Sequence, residues 1–233
     1  MRRFDFIFNG ENAWEHGLAV TTRPALPSPQ KRGDFVDVAG KSGSLFVTDN
    51  TYEDITISVS MNFVRAPFYV GRQFREIKNW LSGSGTLIFS DDTEVYYKVK
   101  TIELSDGKRR GRIGVDMEAD FTCDPFAYYE SGSFPKSIAD CLLNPYHECE
   151  PIYYIEGEGM CDLTVNGNTM TINVGQNCIV NTQLSLAYKQ DGVYVLQSIS
   201  GASYEGMRLK NGMNEISVSE GFNLSIVPNW RSL

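Results

Sequence analysis

From Arg112 to Tyr129 the chain reads RIGVDMEADFTCDPFAYY. Ile113, Val115, Met117, Ala119 and Phe121 are apolar, and Gly114, Asp116, Glu118 and Asp120 stand between them. An extended strand points successive side chains to opposite faces, so this run has one face for a core and one for water. Any fold of this chain must therefore give the segment a half-buried place in a sheet. Asp124-Pro125 is expected to stop the strand, because proline cannot donate to a sheet ladder and restricts the residue before it. The segment that follows, to Tyr146, is less regular, so the strand reads as the last of one domain and the exit towards a second.

A second run has the same character. In ITISVSMNF, from Ile55 to Phe63, the odd positions are apolar and the even ones are Thr56, Ser58, Ser60 and Asn62. Ahead of it, Phe4–Phe8 reads as a short strand with Asn9-Gly10 as its turn, and Leu18–Thr22 as another. Pro24, Pro27 and Pro29 interrupt regular structure until about Arg32. Phe35, Val36 and Val38 then precede the tip Gly40-Lys41-Ser42-Gly43, and Leu45, Phe46 and Val47 follow it, which fits an extended arm of two short strands. Gly71–Leu81 is the one good helix: Phe74, Ile77, Trp80 and Leu81 share a face, and Ser82-Gly83-Ser84-Gly85 ends it. Strands at Thr86–Ser90 and Val95–Glu103 follow, and Asp106-Gly107 is a turn leading into the opening strand.

After Pro145 the pattern changes to short strands: Ile152–Ile155, a hairpin of Asp162–Val165 and Thr169–Val174 around Asn166-Gly167, one or two strands in Cys178–Tyr188, then Val193–Ile199, Met213–Ser219 and Phe222–Val227. The fold class is mainly β. Residues 1–140 form an α+β N-terminal domain, a sandwich-like sheet with one packed helix and an extended arm. Residues 141–233 form an antiparallel β-sandwich. A chain of 233 residues suits that division.

The chemistry of catalysis is largely missing. His16 and His147 are the only histidines and lie far apart, no Cys-x-x-Cys occurs, and the spacing of Cys141, His147 and Cys149 matches no common zinc pattern, so neither a metal site nor a cofactor is expected. A nucleophile would lack a histidine base in a recognisable setting. The glycines after the helix stand at its negative end, the wrong end for a phosphate. Asp91-Asp92 and Glu156-x-Glu158 offer carboxylates for glycan hydrolysis, but such neighbours in turns read as solvated. Trp80 reads as packing the helix, and Trp230 as a docking or core residue. Five cysteines with no close pair read as free buried thiols. A formal charge of −8 argues against a nucleic-acid binder, and Lys108-Arg109-Arg110-Gly111-Arg112, the one basic cluster, reads as a solvated hairpin tip, with contact to an acidic partner as the alternative. No segment approaches the roughly 20 apolar residues of a membrane span, and the first residues make too short an apolar run for a signal peptide, so folding in a cytoplasm is expected.

The order of several short pieces carries a resemblance. They are Phe121-x-Cys123-Asp124-Pro125-Phe126-x-Tyr128, the helix end Asn79-Trp80-Leu81, Leu87-Ile88-Phe89-Ser90-Asp91-Asp92, and Tyr96-Tyr97-Lys98-Val99-Lys100 in the first half. In the second half they are Asn144-Pro145, Glu150-Pro151-Ile152-Tyr153, Val165-Asn166-Gly167, Gly212-x-Asn214-x-Ile216 and Ile226-Val227-Pro228-Asn229-Trp230-Arg231. In this order the chain resembles the siphophage distal tail proteins. The resemblance implies a non-enzymatic structural protein of the virion tail tip, made in the bacterial host cytoplasm. It implies a homo-hexameric ring built by the N-terminal domain, with arms embracing neighbours. Its partners would be the tail tube protein, the tail-associated baseplate or fibre protein and, in some relatives, a receptor-binding protein. It further implies a galectin-like fold for the C-terminal sandwich, in a minimal form without a large carbohydrate module. The arm residues Phe35, Val36, Leu45, Phe46 and Val47 would then be a subunit interface; they could instead pack on their own sheet. The rival function is a carbohydrate-binding module that reads host cell-wall sugar through the C-terminal sandwich.

Overall fold

The alternating pattern is realised as a long strand in the computed structural model, which describes residues 4–137, 140–193 and 199–233. Strand makes up 58% of the structure and helix 9%, so the protein is mainly β, with one α-helix among the described residues. The chain divides into two compact units, one running to Ala127 and taking in Leu233, the other Tyr128–Ser232. That division falls before residue 140 because the intervening residues pair with the far C-terminal segment. Tyr129 N–H donates to Trp230 O at 2.9 Å, Asn229 N–H donates to Gly132 O at 2.9 Å, and Lys136 lies opposite Ile226.

The first unit contains β1 (Phe6–Phe8), β2 (Glu11–Asn12), β3 (Leu18–Thr22), β4 (Lys31–Asp37), β5 (Ser44–Tyr52), β6 (Ile55–Val64), α1 (Val70–Trp80), β7 (Gly85–Phe89), β8 (Asp92–Leu104), β9 (Lys108–Arg110) and β10 (Gly114–Tyr129). Its main sheet runs β2-β1-β7-β8-β10-β6-β3. The two alternating sequences lie side by side: Val115 faces Phe63, Met117 faces Met61, Ala119 faces Val59 and Phe121 faces Ile57. All eight are buried. The polar positions pair on the other face, where Ser58 Oγ donates to Asp120 and Ser60 Oγ donates to Glu118. A one-residue slip would turn both apolar sets to water, so the pattern itself holds the register.

One expectation fails here. β10 does not stop at Asp124-Pro125 but continues to Tyr129. Pairing with β6 ends at Cys123 opposite Ile55, so Pro125 lies beyond that ladder and costs it no donor. The basic cluster is the exposed hairpin end expected, with Gly111 and Arg112 in its turn. Lys108, Arg109 and Arg110 form β9 and pair with Asp116, Val115 and Gly114, and the turn comes after them.

Helix α1 buries Ile77, with Leu81 just beyond its end, while Phe74 and Trp80 pack partly buried against the same core. The Trp80 ring stacks on Phe6 at 5.8 Å and on His16 at 4.0 Å. Val70 and Gln73 are buried too, and the amide of Gln73 is satisfied. It accepts from Arg65 Nε at 3.0 Å and donates to His16 O at 2.6 Å.

The second unit contains β11 (Lys136–Ser137), β12 (Cys141–Asn144), β13 (Ile152–Val165), β14 (Asn168–Asn181), β15 (Leu186–Tyr188), β16 (Ile199–Gly201), β17 (Gly212–Val218), β18 (Asn223–Val227) and β19 (Arg231–Ser232). Here the expectation of short strands throughout is overturned, since β13 and β14 have 14 residues each. They pair continuously from Ile152–Asn181 to Val165–Asn168. Asn166 (φ 50°) and Gly167 (φ 81°) close the hairpin as a mirror-image turn, which needs positive φ at both positions. One end of β13 pairs with β18, the other with β17. Between them, where β13 has left β18 and not yet met β17, Gly157 (φ 151°) and Gly159 (φ 109°) take positive φ without interrupting the pairing with β14, and Gln176 (φ 71°) lies opposite Gly157. One curled hairpin thus serves two sheet regions. The expected strand over Val193–Ile199 lies mostly outside the described residues.

The second core gathers Tyr153, Ile155, Leu163, Ile172, Val180, Ile226 and Trp230, which settles Trp230 as a core residue. Tyr153 Oη donates to Met207 O at 2.7 Å, and burial holds its pKa well above the ordinary value. An ion-pair network closes this unit: Glu150 accepts from Arg231 Nη1 at 2.9 Å and Arg208 Nη2 at 3.0 Å. All five thiols are free, but Cys141 is exposed rather than buried.

Candidate interaction surface

Strands β4 and β5 form a two-stranded sheet of their own, the arm. Three prolines before it supply no strand donors, and the tip carries Gly40 (φ 80°) and Gly43 (φ 81°). At its base the register shifts between Lys31 and Gly33. There Thr48 Oγ1 donates to Arg32 O at 2.6 Å and accepts from Asn50 N–H at 3.0 Å. Beside the base, Lys100 Nζ bridges the carboxylates of Asp54 at 2.6 Å and Asp124 at 3.0 Å. Burial alone would lower the Lys100 pKa; hydrogen bonds to the two carboxylates outweigh it and hold the pKa raised. Nearby, burial first and then Asp124 and Asp54 push the Cys123 thiol up to about 12.

The register sorts the arm's side chains. Phe35 pairs with Phe46, Val36 with Leu45, and Asp34 with Val47. Cross-strand partners share a face, and successive residues alternate. One face therefore carries Phe35 and Phe46, with Asp37 two residues on. The other carries Val36, Leu45 and Val47, with Asp34. Gly33 lies beneath Phe46: a Cβ there would meet ring Cζ at 2.7 Å, so the glycine lets the ring lie over the backbone.

All five apolar residues named from the sequence are on this one hairpin, and all are exposed, Phe35 at 74%. They do not pack on the main sheet. Val38, at the tip, is exposed as well. Fully burying a side chain of this size contributes about 1.5–3 kcal/mol, so an arm apolar on both faces is a strong candidate for contact with another chain.

The other candidate chemistry stays dispersed. His16 Nε2 meets Glu11 at 2.7 Å, and His147, in the other unit, has its pKa lowered by burial and then by Arg231. Among the described residues no group of three His, Cys, Asp or Glu could hold a metal. Asp91 is tied to Arg23 at 3.0 Å. No described helix is long and apolar enough to cross a membrane. A second exposed apolar cluster, Val64, Phe68, Tyr69 and Ile113, was not evident from the sequence, because these residues flank elements whose interior positions carry the periodic signal.

No protein-family model matches the chain, and no curated protein matches it significantly. A solved structure does. The fold is similar to that of the SPP1 Dit (gp 19.1) protein, described as a paradigm of the hub adsorption apparatus in phages infecting Gram-positive bacteria. The match covers 99% of each chain with a TM-score of 0.69 and 14% sequence identity. Both units and their order are therefore shared with that hub protein, while the side chains have largely diverged.

Proposed function

We propose that this protein is a structural component of a phage tail, the distal tail hub. The observation that carries the reading is the end-to-end fold likeness to a hub adsorption protein. The exposed arm supports it. In this reading residues 1–140 build a hexameric ring, and the arm residues Phe35, Val36, Leu45, Phe46 and Val47 bind the adjacent subunit. One ring face meets the tail tube protein, and the other the tail-associated baseplate or fibre protein. Residues 141–233, a galectin-like sandwich, present a site for receptor-binding proteins at the virion tail tip. The chain acts by assembly, without catalysis, after synthesis in the host cytoplasm.

A ring needs two different patches per subunit whose rotation closes. Light scattering on a size-exclusion column, over a range of concentrations, tests this directly. A species near six times the 26.1 kDa chain mass is expected. A monomer throughout that range would overturn the ring.

A further inference from the structure

The arm supplies one patch of a ring contact; the other must lie elsewhere on the same chain. At the start of α1 a recess of about 380 Å³ is lined by Arg65, Ala66, Tyr69, Arg72, Gln73 and Glu76. Tyr69 in its wall is exposed, and Phe68, the preceding residue of the same turn, is 95% exposed. Val64 and Ile113, also exposed, are tied to the same place because Arg65 N–H donates to Ile113 O at 2.9 Å. The recess is cationic at one point. Arg72 is matched by Glu76 at 2.8 Å, whereas Arg65 Nε is held by the neutral amide of Gln73. Gln73 is in turn anchored to His16 O, so the guanidinium is fixed in place without a carboxylate partner among the described residues.

We infer that this recess receives the arm of a second copy of the chain. The inference rests on the hub reading and names the acceptor that reading leaves open. The two patches complement each other in character and charge. The arm face offers two aromatic rings, Phe35 and Phe46, with Asp37 beside them; the acceptor offers Phe68 and Tyr69 with Arg65. Neither Asp34 nor Asp37 has an ion-pair partner among the described residues. Aromatic anchors with a charge-assisted bond at the edge are the residue types that dominate protein interfaces. Donor and acceptor are different patches, so the contact is head-to-tail, the type a ring requires.

The test uses the full chain and its association measured by light scattering and sedimentation. Phe68→Ser, at a side chain too exposed to affect folding, is expected to weaken association at least about tenfold. Asp37→Arg and Arg65→Asp are each expected to do the same, and combining them to restore most of the loss. If Phe46→Asp dissolves the assembly while Phe68→Ser and Arg65→Asp leave it intact, the acceptor is wrong and the arm-built ring stands. If the unmodified chain never associates, both fall. If each single charge variant weakens association but the pair does not recover it, the proposed Asp37–Arg65 contact is overturned.

Discussion

Phe35 and Phe46 stand directly opposite each other on the arm, ring centroids 4.9 Å apart, and both face solvent. The pair has the spacing of a packed aromatic contact without a core around it. Replacing both by Asp removes little that the single chain needs, so its unfolding free energy is expected to change by no more than about 0.5 kcal/mol. Urea unfolding at low protein concentration checks this. A loss of several kcal/mol would show that the arm belongs to the monomer core.

Gly157 is where β13 leaves its pairing with β18, and the Phe222 ring fills the space its Cβ would need. Its φ of 151° is also unfavourable for an L side chain. Gly157→Ala is expected to destabilise the protein by about 2–4 kcal/mol, combining overpacking and backbone strain. Gly159→Ala meets open space and should cost less. Thermal or urea denaturation of the two variants gives the comparison. Combining Gly157→Ala with Phe222→Ala should cost less than the sum of the two changes, because the ring causes much of the first loss.

The side chain of Arg231 is 7% exposed and that of Glu150 is 19% exposed, and Arg208 also pairs with Glu150. Glu150→Ala removes the carboxylate that Arg231 and Arg208 share, leaving Arg231 its bond to the Glu148 carbonyl, and is expected to cost about 3 kcal/mol. Arg231→Met leaves Glu150 its bond to Arg208 and puts an apolar chain in the buried space, so it should cost less. Equal losses in the two variants would contradict this asymmetry.

Thiol chemistry offers a simple readout. Burial pushes Cys123 and Cys149 up to about 12 and Cys178 up to about 11, and it raises Cys161 as well. At pH 8 a thiol with a pKa near 12 is ionised in only about one molecule in ten thousand, and the thiolate is the reactive form. Maleimide labelling of the native protein at pH 8 should therefore modify Cys141 alone, with all five thiols reacting once the chain is unfolded. Mass spectrometry counts the adducts. Rapid native labelling at two or more sites would contradict the buried placement.

Much of this architecture was legible where side-chain periodicity was strong. The runs 55–63 and 115–121 named two strands and the faces they bury, and the structure sets those faces against each other, while Ile113, apolar in the same pattern, is exposed in the turn before β10. Asn9-Gly10 and Asn166-Gly167 named two turns, because few other pairs accept positive φ at both positions. The amphipathic stretch after residue 70 named the helix.

Other features depended on what lies across the fold. Pro125 sits inside a strand because the ladder with β6 has already ended at Cys123. Gln73 is buried because Arg65 and the His16 carbonyl arrive to satisfy it.

The sequence by itself determined the elements, through local rules of period, turn chemistry and glycine freedom that act over a few residues. Only the tertiary structure decided which apolar residues are left without a core. Phe35 and Phe121 are the same side chain in a strand, yet one is exposed and the other buried. The difference arises because burial depends on what the rest of the chain brings within contact, which no local pattern contains.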